Sequence, residues 1–208
     1  LIRTGEFYIF DEKSLIAYPS GEDDINYSEW RLINADYLLL TSVIDSDSGI
    51  EARYEIFDVR KKSKIRSSKV YGVTNNVRQL SHYVSDGIYE AITGIKGVAS
   101  TKILYVSQSN EVDASYRLYV ADADGVNEQL LVKSPEPIIS PAWSPDSKKV
   151  AYVSFETGIA NVYIQDISTG ERQSIIEKRC LTCISNEQIS SPSWSPDGKY
   201  LSLTLYQD

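Results

Sequence analysis

Two cysteines, a single histidine and several acidic turns are the side chains in this 208-residue sequence that could do chemistry. Cys180-Leu181-Thr182-Cys183 has the spacing of a metal knuckle or a dithiol redox pair. A structural zinc site closes with four Cys or His ligands, more than the chain holds. A redox dithiol needs a βαβ setting whose helix N-terminus lowers the thiol pKa, whereas this pair falls in a polar loop between strands. His82 would have to serve any Ser-His-Asp triad alone, and it sits inside a predicted helix, where packing or solvation is the ordinary role. No G-x-S-x-G nucleophile elbow occurs. Asp45, Asp47 and Gly49 begin like a calcium loop, but the twelfth position is Ile56 instead of Glu, so the loop cannot close on an ion. Asp122, Asp124 and Asn127 surround Gly125 and read as a hairpin turn before a cation site. Glu22-Asp23-Asp24 reads as a solvated loop. The sequence predicts no catalytic residue, no metal and no cofactor.

Composition narrows the function further. A net charge of -8 and a pI near 4.8 argue against nucleic acid, where a basic face is needed to displace counterions, and against an anionic membrane surface. Hydrophobic residues at 42% and charged residues at 24% are the proportions of a soluble globular protein. No apolar run approaches the roughly 18 residues of a membrane span. The sequence contains no methionine, so the expectation is a processed or truncated product whose export signal, if it had one, lies elsewhere.

The elements that must carry these residues fall into two halves, 1–97 and 98–208. In the first, Gly5 to Phe10 predicts a short strand, and Ser28 caps a short helix through Trp30 to Asn34. Tyr37 to Ile44 is a near-continuous apolar strand, as expected when both sheet faces are covered. After the Asp45–Gly49 turn, Ile50, Ala52, Tyr54 and Ile56 alternate with Glu51, Arg53 and Glu55, the period of a half-buried strand. Ile65 to Val73 predicts a third strand. Thr74 or Asn75 then caps a helix in which Val77, Leu80, Val84, Ile88, Ala91 and Ile92 recur at three- and four-residue spacing, and Gly94 stops it. The fold class of this half is α+β, a mixed sheet with helices.

The second half repeats itself. Ser140-Pro141-Ala142-Trp143-Ser144-Pro145-Asp146-Ser147-Lys148 recurs, roughly 50 residues on, as Ser191-Pro192-Ser193-Trp194-Ser195-Pro196-Asp197-Gly198-Lys199. The run from Lys102 to Ser107 echoes Lys149 to Ser154, and Leu118-Tyr119-Val120 echoes Val162-Tyr163-Ile164. Each unit reads as four antiparallel strands joined by Ser-Pro-Asp and Thr-Gly or Asp-Gly turns, which is the blade of a β-propeller. A sandwich with two similar hairpins is the alternative. The expectation is two blades and the start of a third, an arc that cannot close on itself.

The junction between the halves, Ser85-Asp86-Gly87-Ile88-Tyr89-Glu90 followed by Ile92-Thr93-Gly94-Ile95-Lys96-Gly97, resembles the helix end of the TolB family. The likeness continues through Tyr116 to Gly125, Ser134-Pro135-Glu136-Pro137 and Ser140 to Ser154. The resemblance implies an α/β domain followed by a six-bladed propeller. It implies a non-enzymatic, monomeric, periplasmic adaptor that binds the lipoprotein Pal through the propeller and TolA through an N-terminal segment lying outside this chain. Such an adaptor supports outer-membrane integrity and constriction at division. The Pal-facing residues it implies here are Ser134, Pro135, Glu136, Pro137, Ile138 and Ile139, with Gln188, Ile189, Ser190 and Ser191. In an oxidising periplasm Cys180 and Cys183 are expected to form a local disulfide, two free thiols being the alternative. The rival function is the propeller of a prolyl-oligopeptidase-like serine peptidase, whose blades carry similar Trp-Ser-Pro-Asp-Gly turns.

Overall fold

The computed structural model describes residues 1–46, 49–109, 115–175 and 187–207. The chain divides into two compact units, Leu1–Thr101 and Lys102–Asp208.

In the first unit three strands, β1 (Tyr37–Ser46), β2 (Gly49–Asp58) and β3 (Ser63–Gly72), form a sheet in that order. Both pairings are antiparallel, so over its described strands the sheet is antiparallel and not mixed. The alternation in β2 sorts its residues as expected. Ile50, Ala52, Tyr54 and Ile56 are buried and meet Leu80 and Ile88 of the helix α2 (Val77–Thr93). Helix α2 ends at Gly94, whose left-handed φ of 75° lets its N–H reach the Glu90 carbonyl at 2.9 Å. Phe57 instead joins Trp30, Ala35, Leu38 and Val59 in a second cluster, on which helix α1 (Tyr27–Leu32) packs.

Four local expectations are corrected. The segment from Gly5 to Phe10 forms no strand; it follows a 3-10 turn at Ile2–Thr4. Helix α1 starts earlier than expected because Asn26, not Ser28, is its cap, accepting from the Ser28 N–H at 3.2 Å. Helix α2 is capped by Asn76, which accepts from the Gln79 N–H at 3.2 Å, after a 3-10 turn at Thr74–Asn76. Among the described residues strand β1 lies at the edge of its sheet, and its Val43 is 68% exposed, so its apolar run does not mark cover on both faces.

The second unit is built from three sheets. The first has the order β4 (Lys102–Gln108), β5 (Tyr116–Asp122) and β6 (Gln129–Ser134). The second runs β7 (Ile138–Trp143), β8 (Lys149–Ser154), β9 (Asn161–Asp166) and β10 (Arg172–Ser174), in sequence order across the sheet. The third pairs β11 (Glu187–Trp194) with β12 (Leu201–Gln207). Every pairing is antiparallel. Strand β8 is buried on both faces. Val150 and Tyr152 pack with Leu118 and Val132 of the first sheet, while Val153 packs with Ile189 of the third. These sheets are consecutive propeller blades, and among the described residues they do not close a ring.

The repeat has a common physical basis in both blades. Ser140 and Ser191 take left-handed φ values of 52° and 54°, each at a bulge in its strand, between Ile139 and Ala142 and between Ser190 and Ser193. The turns beyond use one network twice. Asp146 accepts from the Ser144 hydroxyl at 2.6 Å and the Lys148 N–H at 3.1 Å; Asp197 accepts from the Ser195 hydroxyl at 2.6 Å and the Lys199 N–H at 3.1 Å. The stacked pairs Tyr105–Tyr119 and Tyr152–Tyr163 also occupy matching cross-strand positions, with ring centroids 5.5 and 5.7 Å apart.

Candidate protein-binding loops of the propeller unit

Antiparallel order fixes which loops share an end of a blade. In the second sheet Ile138 opposes Ser154, and Ser154 opposes Asn161. The approach to β7 and the loop from β8 to β9 therefore emerge together. Both loops are held by the same device. Ser134 is buried and its Oγ accepts from the Glu136 N–H at 3.0 Å; Ser154 is buried and its Oγ accepts from the Glu156 N–H at 3.3 Å. The two loops are tied together where the Phe155 N–H donates to the Pro137 carbonyl at 3.0 Å. Pro135 and Pro137 restrict the backbone between these anchors, so the exposed Glu136 is presented with little conformational freedom left to lose on binding.

Behind the loops lies a charged and aromatic buttress. Arg172 pairs with Glu156 at 3.0 Å, and its guanidinium stands 5.1 Å above the Tyr163 ring. The Tyr152 hydroxyl donates to Gln165 Oε1 at 3.3 Å, and Gln165 Nε2 donates to the Leu131 carbonyl at 3.2 Å, which joins the second sheet to the first. Burial pushes the Tyr152 phenol pKa up, and burial followed by the Glu156 carboxylate does the same for Tyr163. Both phenols stay neutral at ordinary pH, which suits packing and hydrogen bonding better than proton transfer.

The ten residues assigned to partner binding divide between surface and interior. Ile138 and Ile189 hold equivalent positions before the two bulges and are 2% and 4% exposed, and Ser134 is 1% exposed. These three lie in the interior and support the loops from within. Pro135, Glu136, Ile139 and Ser191 are exposed, while Pro137 and Ser190 are half-buried. Gln188 pairs with Tyr206 in the backbone ladder. Strand β7 also touches β4 and β11, so these positions lie where neighbouring blades meet. Cys180 and Cys183, with the loop that holds them, lie outside the described residues.

The acidic turns resolve into structure. Asp122 Oδ1 accepts from Lys102 Nζ at 2.8 Å and its Oδ2 from Asn127 Nδ2 at 2.6 Å. The Lys102 ammonium holds that carboxyl below the usual carboxylate range. Asp124 accepts from the Val126 N–H at 3.1 Å, and Gly125 supplies the positive φ of the hairpin. Asp45 lies in the β1–β2 ladder opposite Ile50, and Asp47 lies outside the described residues. The Glu22–Asp24 segment is a 3-10 turn and not merely a solvated loop. Glu22 pairs with Lys64 at 2.8 Å, and Lys64 also pairs with Glu55 at 2.9 Å and caps the Phe57 ring. That hub joins residues distant in sequence, and only three-dimensional neighbours reveal it.

His82 lies half-buried on α2. The first unit also has an open cleft of about 820 Å³, with Phe10, Tyr18 and Trp30 on one wall and Arg53 and Lys69 on the sheet side. Arg53 and Lys69 both pair with Glu51. Among the described residues no group of three or more His, Cys, Asp or Glu side chains is placed to hold a metal ion, and no helix is long and apolar enough to cross a membrane.

Comparison with known proteins agrees with this architecture. Residues 1–65 match a family model described as the TolB amino-terminal domain, and residues 89–208 match the TolB beta propeller domain. The Tol-Pal system protein TolB of Alcanivorax borkumensis is 36% identical over 210 residues, covering 100% of this chain and 47% of the relative. The same-named protein of Xanthomonas oryzae pv. oryzae is 40% identical over 177 residues, covering 84% of this chain and 40% of its own length. The crystal structure of TolB from Acinetobacter baumannii superposes with a TM-score of 0.79 at 37% identity, covering 92% of this chain and 46% of that one. The chain thus spans about half the length of the relatives it matches.

Proposed function

This chain belongs to the TolB family, and we propose that it is part of a non-enzymatic periplasmic adaptor of a Tol–Pal system. On this reading the propeller unit binds the lipoprotein Pal, and TolA is engaged through the N-terminal region of the full protein. The pair of contacts supports outer-membrane integrity and constriction during cell division. The observation that carries the reading is the relationship to Tol–Pal system proteins across the whole of this chain, in both of its units. The loop geometry supports it. The segment around Glu136 is anchored at Ser134 and Pro137 and leaves polar and apolar side chains exposed at a blade end, a pre-ordered surface for a protein ligand.

Calorimetric titration of the full-length protein with the soluble domain of Pal tests the proposal. Glu136→Lys and Ile139→Asp, which change exposed positions of the proposed contact, are expected to weaken binding by about tenfold or more. Failure of the unaltered protein to bind Pal, or full affinity in the double variant, overturns the corresponding part of the proposal.

A further inference from the structure

The residues that follow α2 do not leave it freely. The chain turns at Gly94 and folds back along the helix until the Ala99 and Ser100 N–H groups reach the Asp86 carboxylate, at 2.7 Å to Oδ1 and 2.8 Å to Oδ2. One carboxylate thus accepts two successive backbone donors, an arrangement stronger than ordinary neutral hydrogen bonds. Gly97 makes the approach possible. A Cβ there would stand 2.3 Å from Asp86 Oδ1 and 2.5 Å from the Asp86 Cα, so no larger residue fits while the clasp is closed. The intervening backbone is secured at its ends, with Ile95 N–H donating to Thr93 Oγ1 at 3.1 Å and Thr101 N–H to the Val98 carbonyl at 3.1 Å. The apolar side chains between them gain little from the fold, since Ile95 and Val98 are exposed. Little apolar burial therefore holds this strap, and its attachment depends on the two bonds to Asp86.

We infer that Asp86 is a latch on the connector between the two units, and that the connector has a latched and a released state. Latched, the backbone through Ser100 belongs to the first unit, and the next strand begins at Lys102. Released, the stretch from Ile95 to Ser100 becomes free chain that can extend over roughly 20 Å. The latch sets how much slack joins the units, whichever partner is bound.

Amide hydrogen exchange on the full-length protein, with limited trypsin digestion at Lys96, tests the latch. In the unaltered protein the Ala99 and Ser100 amides are expected to be protected. In Asp86→Ala their exchange should accelerate about tenfold or more, the loss anticipated for bonds to a charged acceptor, and cleavage after Lys96 should quicken in parallel. Amides of α2 and β2 should keep their protection. Gly97→Ala, which retains the carboxylate but displaces it, should give the same pattern and provides the reading if Asp86→Ala folds poorly. Unprotected Ala99 and Ser100 amides in the unaltered protein overturn the latch. So does unchanged protection in the variants, and so does equal loosening of α2, which would make Asp86 a residue of global stability.

Discussion

Trp194 Nε1 donates to the carbonyl oxygen of Ala142 across 3.4 Å, tying the tryptophan of one repeat to the backbone beside the tryptophan of the repeat before it. Trp143 itself packs at the boundary between the first and second blades. The two residues end equivalent strands, Trp143 opposite Val150 and Trp194 opposite Leu201. Each therefore contributes to the seam with the preceding blade. Trp194→Phe keeps an aromatic ring and removes the donor, so it is expected to cost about 1 kcal/mol. Chemical denaturation followed on the propeller unit measures this, and an unchanged midpoint would mean the bond contributes nothing.

The two turns differ at one backbone position in a way that suggests a stabilising change. Ser147 sits at φ 57°, where the other repeat has Gly198 at φ 70°. The surrounding bonds to Asp146 and Asp197 are the same in both turns, so the difference isolates the cost of a Cβ in left-handed backbone. Ser147→Gly is expected to raise stability by about 0.5 to 1 kcal/mol, after allowing for glycine's greater freedom in the unfolded chain. Gly198→Ser should lower it by a similar amount, and the melting temperatures of the two variants check both signs. Among the described residues a Cβ at position 198 would meet only Pro145 Cδ, at an ordinary contact distance of 3.8 Å, so a steric clash with them would not confuse the result.

Much of this architecture is legible in sequence because it rests on local periodicity. The alternation from Ile50 to Ile56, the three- and four-residue spacing from Val77 to Ile92, and the doubled Ser-Pro-Xaa-Trp segment each correspond to an observed element. What escaped depends on distant neighbours. Whether Asn26 or Ser28 caps α1 is decided by backbone geometry, and both residue types cap well. The run at Tyr37 looked buried because apolar residues follow one another, but hydropathy does not count the strands on either side. Among the assigned binding residues, Ile138 and Ile139 are adjacent on a strand and must face opposite ways, so one of them belongs to the core on alternation alone. The hub at Lys64 and the clasp at Asp86 join partners with no shared pattern, and nothing in composition marks them.

The acid sensitivity of the propeller turns follows from their carboxylates. Hydrogen bonds from Ser144 and Ser195 hold Asp146 and Asp197 below the usual aspartate range, and the Ser168 hydroxyl does the same for Asp166. A folded-state pKa below the unfolded one means that the unfolded chain binds more protons. The stabilisation is complete above the ordinary aspartate value, about pH 4, and is lost as pH falls through the lower folded values. Melting temperature followed from neutral pH down to about pH 2.5 should therefore decline on the acid side. Replacing Asp146, Asp166 and Asp197 together by Asn should flatten that limb, and an acid limb identical to that of the unaltered protein would assign the effect to other groups.

Gly87 provides a sharper steric test. Glycine inside a helix weakens it relative to alanine, so propensity alone says that Gly87→Ala stabilises α2. Packing says the reverse. A Cβ at Gly87 would stand 2.1 Å from the Tyr54 hydroxyl oxygen and 3.1 Å from its Cζ, with Tyr54 of β2 buried against α2. The Gly87 carbonyl also accepts from Arg66 Nη1 at 3.3 Å, which fixes this turn of the helix against β3. Overpacking should therefore win, and Gly87→Ala is expected to destabilise the first unit by about 1 to 3 kcal/mol. Tyr54→Phe removes the nearest atom and should recover part of that loss in the double variant, although the 3.1 Å contact with Cζ keeps recovery incomplete. Thermal denaturation of the two single variants and the double variant closes the cycle. Additive effects, or a stabilising Gly87→Ala, would show that the helix does not press on Tyr54 in solution.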